Sequence, residues 1–130
     1  RADTKNLVIL LTTQTLHRMW CAGEIASAFA NNVPIVPVAC EDYQHMDSTA
    51  IDSIADVWTA EEKSTLLMLG ITMPGVQNAY RSLSALDAVQ YNRFGTSQEQ
   101  EDAIQTTVRR CGLSTGFRGS SRGAAPGVVR

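Results

Sequence analysis

The sequence predicts an α/β fold built on a parallel sheet. Two short aliphatic segments, residues 6–12 and 33–39, have the length and the β-branched content of strands. Both are apolar without alternation, which is typical of strands covered on both faces. Residues 15–30 between them are good helix formers over a length that suits a crossover connection. Together these segments predict a right-handed βαβ unit.

The first helix of this unit has recognisable signals along its length. Thr13 or Thr15 offers an N-cap, and Asn31-Asn32 supply a stop. Residues at helical spacing predict a stripe that faces the core, formed by Cys21, Ile25, Ala28 and Phe29.

The second strand contains Pro34 and Pro37, and each proline removes a hydrogen-bond donor. Because the prolines lie three residues apart, we expect one bond to be lost toward each neighbouring strand.

Caps and turns predict the elements that follow. Thr59 with Glu61 and Glu62 predicts a capped helix through Leu69, ended by Gly70. Pro74-Gly75 indicates a turn, and residues 85–91 are an ambiguous short strand. Ser97 predicts the cap of a last helix, whose apolar face consists of Ala103, Ile104, Thr107, Val108 and Cys111.

The composition predicts one globular domain over residues 1–111, followed by a flexible basic Gly/Ser/Arg tail at residues 112–130. Residues 1–102 carry six basic and thirteen acidic side chains, whereas residues 103–130 carry five arginines and no acid. An acidic body makes nucleic acid an improbable partner.

The longest apolar run, Leu7–Leu11, has five residues, against roughly 20 for a membrane span. We therefore expect no membrane insertion. The three cysteines fit neither a disulfide framework nor a metal pair, so reduced thiols and an intracellular, cytoplasmic location are expected.

Residues 7–38 resemble the Toll/interleukin-receptor (TIR) domain family, and most closely its members in unicellular eukaryotes. The resemblance rests on an aliphatic strand that ends in threonine, a helix with the sequence Trp20-Cys21-Ala22-Gly23-Glu24-Ile25, and a Val-Pro-Ile-Val-Pro-Val strand. A looser match continues to residue 111, with Tyr91-Asn92-Arg93-Phe94 before the last helix.

The resemblance implies a flavodoxin-like open parallel sheet with flanking helices. It also implies signalling by TIR–TIR association, and in a subset of the family the cleavage of NAD⁺ to nicotinamide and an ADP-ribose product. NAD⁺ would be a substrate, and no cofactor or metal is implied. Glu24, four residues after Trp20, takes the catalytic position, with Trp20, Thr12 and Thr13 as substrate-binding residues.

A single carboxylate suits this reaction, because an anion stabilises the oxocarbenium-like transition state and nicotinamide leaves as a neutral group. We expect Glu24 to line a concavity at the carboxyl ends of the strands, beside residues 41–45. Purely structural roles are the alternatives to a role in a site: Glu24 would be a solvated helix residue, and Trp20 would pack over the edge of the core. Cys21 is expected to be an inert core thiol. The cluster Glu41, Asp42, His45 and Asp47 is either a solvated loop or a metal site.

The family has two further strands before the strand that begins here at Asn6, so the fold is expected to be incomplete at its N-terminus. The aliphatic segment Asn6–Thr12 should then need another polypeptide against it. The main alternative function is a non-catalytic structural subunit that docks into an assembly through this edge and the basic tail. An unrelated flavodoxin-like binding module is a third possibility.

Overall fold

The computed structural model describes residues 6–112, and their sheet has three parallel strands in the order β1-β2-β3. Leu7 pairs with Ile35 and Leu11 with Ala39, so the predicted parallel pairing is confirmed. The elements in chain order are β1 (Leu7–Leu11), a 3-10 turn (Thr15–His17), α1 (Met19–Ala30), β2 (Ile35–Cys40), α2 (Ser48–Asp52), a second 3-10 turn (Ile54–Val57), α3 (Ala60–Met68), α4 (Met73–Ser84), β3 (Val89–Tyr91) and α5 (Ser97–Arg110).

Helices cover both faces of the sheet. Leu7, Ile9 and Leu11 of β1 belong to a large core that includes buried side chains of α1, α2 and α4. Val8 belongs to a smaller core on the opposite face, against α5. This alternation explains the unbroken apolar run of β1, since both faces of the strand need apolar side chains. The predicted flavodoxin-like α/β architecture, an open parallel sheet with flanking helices, is confirmed.

The central strand β2 accommodates one proline rather than two. Pro34 precedes the strand, and its carbonyl accepts a hydrogen bond from Leu7 N (2.8 Å). Pro37 lies inside β2 opposite Ile9. Because N–H groups alternate along a strand, the missing donor of Pro37 faces β3 just before that strand begins. The expected loss of one bond toward each neighbour is therefore wrong.

The predicted helix over residues 15–30 consists of two pieces. Thr15–His17 form a 3-10 turn, Arg18 has an extended backbone (φ −95°, ψ 128°), and α1 begins at Met19. The predicted stop is confirmed, since Asn32 adopts a left-handed conformation (φ 57°) directly after the C-cap Asn31. Asparagine tolerates this conformation better than most residues.

The buried face of α1 is rotated slightly from the predicted stripe. Ile25 and Ala28 are buried as expected, but Cys21 and Phe29 are only half-buried. The remaining core positions are Ala22, Gly23 and Ala26. Gly23 has a packing reason: a Cβ built there would lie 3.2 Å from Leu66 Cδ2 of α3, so α3 approaches α1 closely at this point.

Three later predictions about helix termini have different outcomes. The capping box of Thr59 and Glu62 and the stop at Gly70 (φ 83°) are confirmed. The predicted turn at Pro74-Gly75 is wrong, because these residues form the first turn of α4, where the Thr72 side chain accepts a hydrogen bond from Gly75 N (3.0 Å). Proline fits a first helical turn, where its absent N–H has no helical partner to lose.

The last helix also differs in detail from its prediction. Thr96, not Ser97, caps α5, and it forms a capping box with Glu99. Ala103 and Cys111 are buried and Thr107 and Val108 half-buried, but Ile104 is exposed, because α5 covers the sheet with a narrower face than predicted.

The proposed tail beyond Gly112 lies outside the described residues, as do residues 1–5. Within residues 6–112, no helix combines the length and the apolar character that crossing a membrane requires.

Candidate functional site

Trp20 and Glu24 line the same cavity. Both lie on α1 one helical turn apart, and both are exposed, Trp20 by 61%. The cavity has a volume of about 840 Å³ and continues past Gly23 and Ser27 toward the end of α1. A large aromatic ring and a carboxylate are therefore accessible to one ligand.

The position of this cavity differs from the prediction. Its far wall includes Leu7, at the amino end of β1, and the apolar side chains of Leu69 and Ile71 after α3. Residues 41–45 are not among its lining residues. The expectation that Glu24 faces the carboxyl ends of the strands is therefore wrong. The reason is that the side of α1 carrying Trp20 and Glu24 faces the groove between β1 and the α3–α4 connection.

Thr12 and Thr13, the other two predicted substrate-binding residues, lie at the carboxyl end of β1 and do not line the cavity of Glu24. The Thr12 hydroxyl is 3.1 Å from the Thr15 hydroxyl. The Thr13 hydroxyl donates to Asp42 Oδ2 (2.6 Å), in the loop after β2. The four predicted site residues thus fall into two separate places.

Sequence reasoning missed an ion-pair cluster at the carboxyl edge of the sheet. The Arg93 guanidinium, after β3, binds Glu41 Oε2 (2.7 Å) and Asp42 Oδ1 (2.9 Å), which follow β2. Arg93 N also donates to Glu41 Oε1 (2.9 Å). With the bond from Thr13, the cluster joins the loops that follow all three strands. Opposite charges directly after two strands were the signal, since parallel strands end at the same edge.

The cluster stabilises its carboxylates in their charged form. Hydrogen bonds from Arg93 lower the pKa of Glu41 to about 2. The pKa of Asp42 is also lowered, first by the Thr13 hydroxyl and then by Arg93, and the pKa of Arg93 is raised by the same contacts. All three side chains remain partly exposed. The arrangement connects the loops that follow β2 and β3, and the positive charge of Arg93 is paired with the carboxylates of Glu41 and Asp42.

The acidic segment considered as a metal site has other roles. Glu41 and Asp42 bind Arg93, and Asp47 caps α2 by accepting a hydrogen bond from Ala50 N (2.8 Å). In the part of the chain that the structure describes, no group of three or more His, Cys, Asp or Glu side chains is placed to hold a metal ion.

None of the three cysteines forms a disulfide. Burial raises the pKa of Cys40 and of Cys111, so these thiols remain protonated at neutral pH. Cys21 is half-buried rather than enclosed in the core.

Comparison of the chain with protein-family models, with curated proteins and with solved structures finds no match.

Proposed function

We propose that this chain is a TIR-like signalling module of the cytoplasm that acts by associating with other protein chains through the free edge of β1. The observation that carries the proposal is the place of β1 in the sheet. It pairs only with β2 among the described residues, so its other side is available to a further strand. Strand addition is a recurring mode of protein recognition.

The hydrogen-bonding groups on this edge follow from the register. Leu7 N donates to the carbonyl of Pro34, the residue before β2. The alternation of a strand then turns the N–H and C=O groups of Val8 and Leu10 away from β2. The Thr15 hydroxyl donates to Leu10 O (2.9 Å) and accepts from Thr12 N (2.8 Å). Thr15 thus occupies the backbone groups at the carboxyl end of the β1 edge. The N–H and C=O groups of Val8 and the N–H of Leu10 are the groups that a partner strand would bind.

The side chains on the edge support the same function. Leu10 is 50% exposed, although the other four residues of β1 are buried. Edge strands commonly carry charged side chains that discourage pairing with other chains, and β1 carries none. An added strand would bury Leu10 beside Val8, which points to the same face of the sheet.

Sedimentation velocity of the 130-residue chain over a concentration series tests this function, with a second copy as the simplest partner. We expect concentration-dependent association that Leu10→Lys weakens at least about tenfold, because an ammonium group replaces an apolar contact at the interface. Leu67→Lys is the matched control: Leu67 is similarly exposed (61%) but lies on α3. A wild-type chain that stays monomeric to about 100 µM, or equal effects of the two variants, would contradict association through β1.

A second candidate function, NAD⁺ hydrolysis, is favoured by the shared cavity of Trp20 and Glu24. In this reaction the bond between nicotinamide and ribose breaks, nicotinamide leaves with the bonding electrons, and water adds to the ribose carbon with loss of a proton. The Glu24 carboxylate would stabilise the positive charge that develops on the ribose. Trp20 offers a face on which an aromatic ring can stack.

Detection of free nicotinamide after incubation with NAD⁺ tests this second function. We expect Glu24→Gln to abolish turnover and Glu101→Gln, at an exposed position on α5, to leave it unchanged. Absence of turnover in all three proteins would reject the enzyme. Binding at the β1 edge without turnover would then favour the non-catalytic structural subunit.

A further inference from the structure

A second hollow lies at the carboxyl end of β1. The cavity of Glu24 borders the other, amino end of this strand. The floor of the second hollow is the row of paired residues Leu11, Ala39 and Gln90, one from each strand, at the carboxyl end of the sheet. This hollow, here called the sheet cleft, has a volume of about 290 Å³ and shares no lining residue with the cavity of Glu24. Open α/β sheets bind ligands at the carboxyl ends of their strands.

The cleft exists because β2 presents small side chains on this face. Val36 and Val38 point to the other face, where they belong to the core beneath α5. Pro37 and Ala39 point into the cleft, and Leu83, near the end of α4, forms a wall beside them. Pro37 and Ala39 therefore give the cleft a short apolar surface, which suits one face of a planar ring.

The rim supplies hydrogen-bonding groups. Tyr43, Ser84 and Gln90 each bring both donor and acceptor capacity to the cleft, and His45 also lines it. None of the described residues that line it is Asp, Glu, Lys or Arg. Burial raises the pKa of Tyr43, so its phenol remains a hydroxyl donor. A charged ligand would lack an opposite charge here, and its desolvation would be costly.

We propose that the sheet cleft binds a small, neutral, planar heterocycle whose edge alternates hydrogen-bond donors and acceptors, as nucleobases do. The ring would lie on Pro37 and Ala39, and its polar edge would meet Tyr43, Ser84 and Gln90. A volume near the lower limit of ligand pockets fits one ring or a fused pair and leaves no room for a dinucleotide. The inference goes beyond the proposed function and does not depend on it.

Titration of the ¹⁵N-labelled full chain with adenine and with uracil tests the proposal. We expect saturable shifts of the Leu11, Ala39 and Gln90 amides, with a dissociation constant of about 1 mM or tighter. The Gly23 amide, beside the cavity of Glu24, should not shift. Benzoate, an aromatic anion, should bind at least about tenfold more weakly than adenine, because none of the described residues that line the cleft is Lys or Arg.

Two cleft variants and one control variant make the location of binding testable. Ala88→Leu places a larger side chain at the cleft and should weaken binding at least about tenfold, whereas Ala85→Leu, at an exposed position outside the lining, should have no effect. Tyr43→Phe keeps the ring that packs on the core, removes only the hydroxyl, and should weaken binding about two- to tenfold. If Ala88→Leu does not fold, the affinity of Tyr43→Phe decides whether the ligand binds in the sheet cleft. The proposal is overturned by absence of saturable shifts at about 10 mM of either base, by equal binding of benzoate, or by unchanged affinity in the folded cleft variants.

Discussion

Replacing Thr15 with valine should lower the stability of the fold and strengthen association through β1. The side chain is nearly isosteric and the residue is 8% exposed, so the change removes hydrogen bonds with little change in packing. The hydroxyl contacts Leu10 O (2.9 Å), Thr12 N (2.8 Å) and Thr12 Oγ1 (3.1 Å). Through these contacts the Thr15 hydroxyl satisfies backbone groups of Leu10 and Thr12 that a neighbouring strand would otherwise bind.

The magnitude follows from the groups that lose their partner. A hydrogen bond contributes about 0.5–1.5 kcal/mol net, and a polar group left without a partner in a partly buried place costs about 1–3 kcal/mol. Because Leu10 O and Thr12 N lie near the surface and can recover some bonds to water, we expect Thr15→Val to lower the free energy of unfolding by about 2–3 kcal/mol. With an ordinary urea dependence, the unfolding midpoint should fall by about 1–2 M.

Urea unfolding of the full chain measures this loss, and sedimentation velocity measures the gain in association. Thr65→Val is the matched control, since the Thr65 hydroxyl only donates to Glu61 O (3.0 Å), inside α3. We expect the control to change the free energy of unfolding by less than about 0.5 kcal/mol. A loss in Thr15→Val no larger than that of the control, or weaker association than wild type, would refute the role of Thr15 at the edge.

Three further predictions concern the fold. The pKa of Glu41 is lowered from 4.5 to about 2 on folding, so its contribution to stability is present above pH 4.5 and is lost as the pH falls toward 2; unfolding midpoints against pH should show this decline, and Arg93→Gln should reduce it. Gly70→Ala should lower stability by about 1–2 kcal/mol in thermal unfolding through its positive φ alone, because no described atom beyond its chain neighbours lies within 4 Å of the added Cβ. Leu66→Ala, at a fully buried position of α3, should cost about 2–5 kcal/mol in urea unfolding.

Helix α4 is the longest element that the sequence analysis does not predict, although its signals are in the chain. Thr72 is a cap, Pro74 suits a first turn, and Val76, Ala79, Tyr80 and Leu83 recur at helical spacing. A Pro-Gly pair predicts a turn because these residues break helix interiors, yet Pro74 and Gly75 occur in the first turn of α4. The periodic apolar positions that follow were the better guide, because each one is buried.

The candidate sites show the same division between local and tertiary information. The one-turn spacing of Trp20 and Glu24 on α1 is a property of the sequence, and it places both side chains at one cavity. The side of the sheet to which this cavity opens depends on how α3 packs against α1 at Gly23, a contact between residues more than forty positions apart.

By itself, the sequence determined the βαβ unit, the parallel pairing of β1 and β2, and the caps of α3, because apolar runs, capping residues and left-handed stops act over a few residues. Only the tertiary structure decided that Arg93 closes on Glu41 and Asp42, that Thr15 covers one end of the β1 edge, and that small side chains of β2 leave a cleft. Such features depend on which distant groups meet and how closely they pack, and no local pattern in the chain encodes those distances.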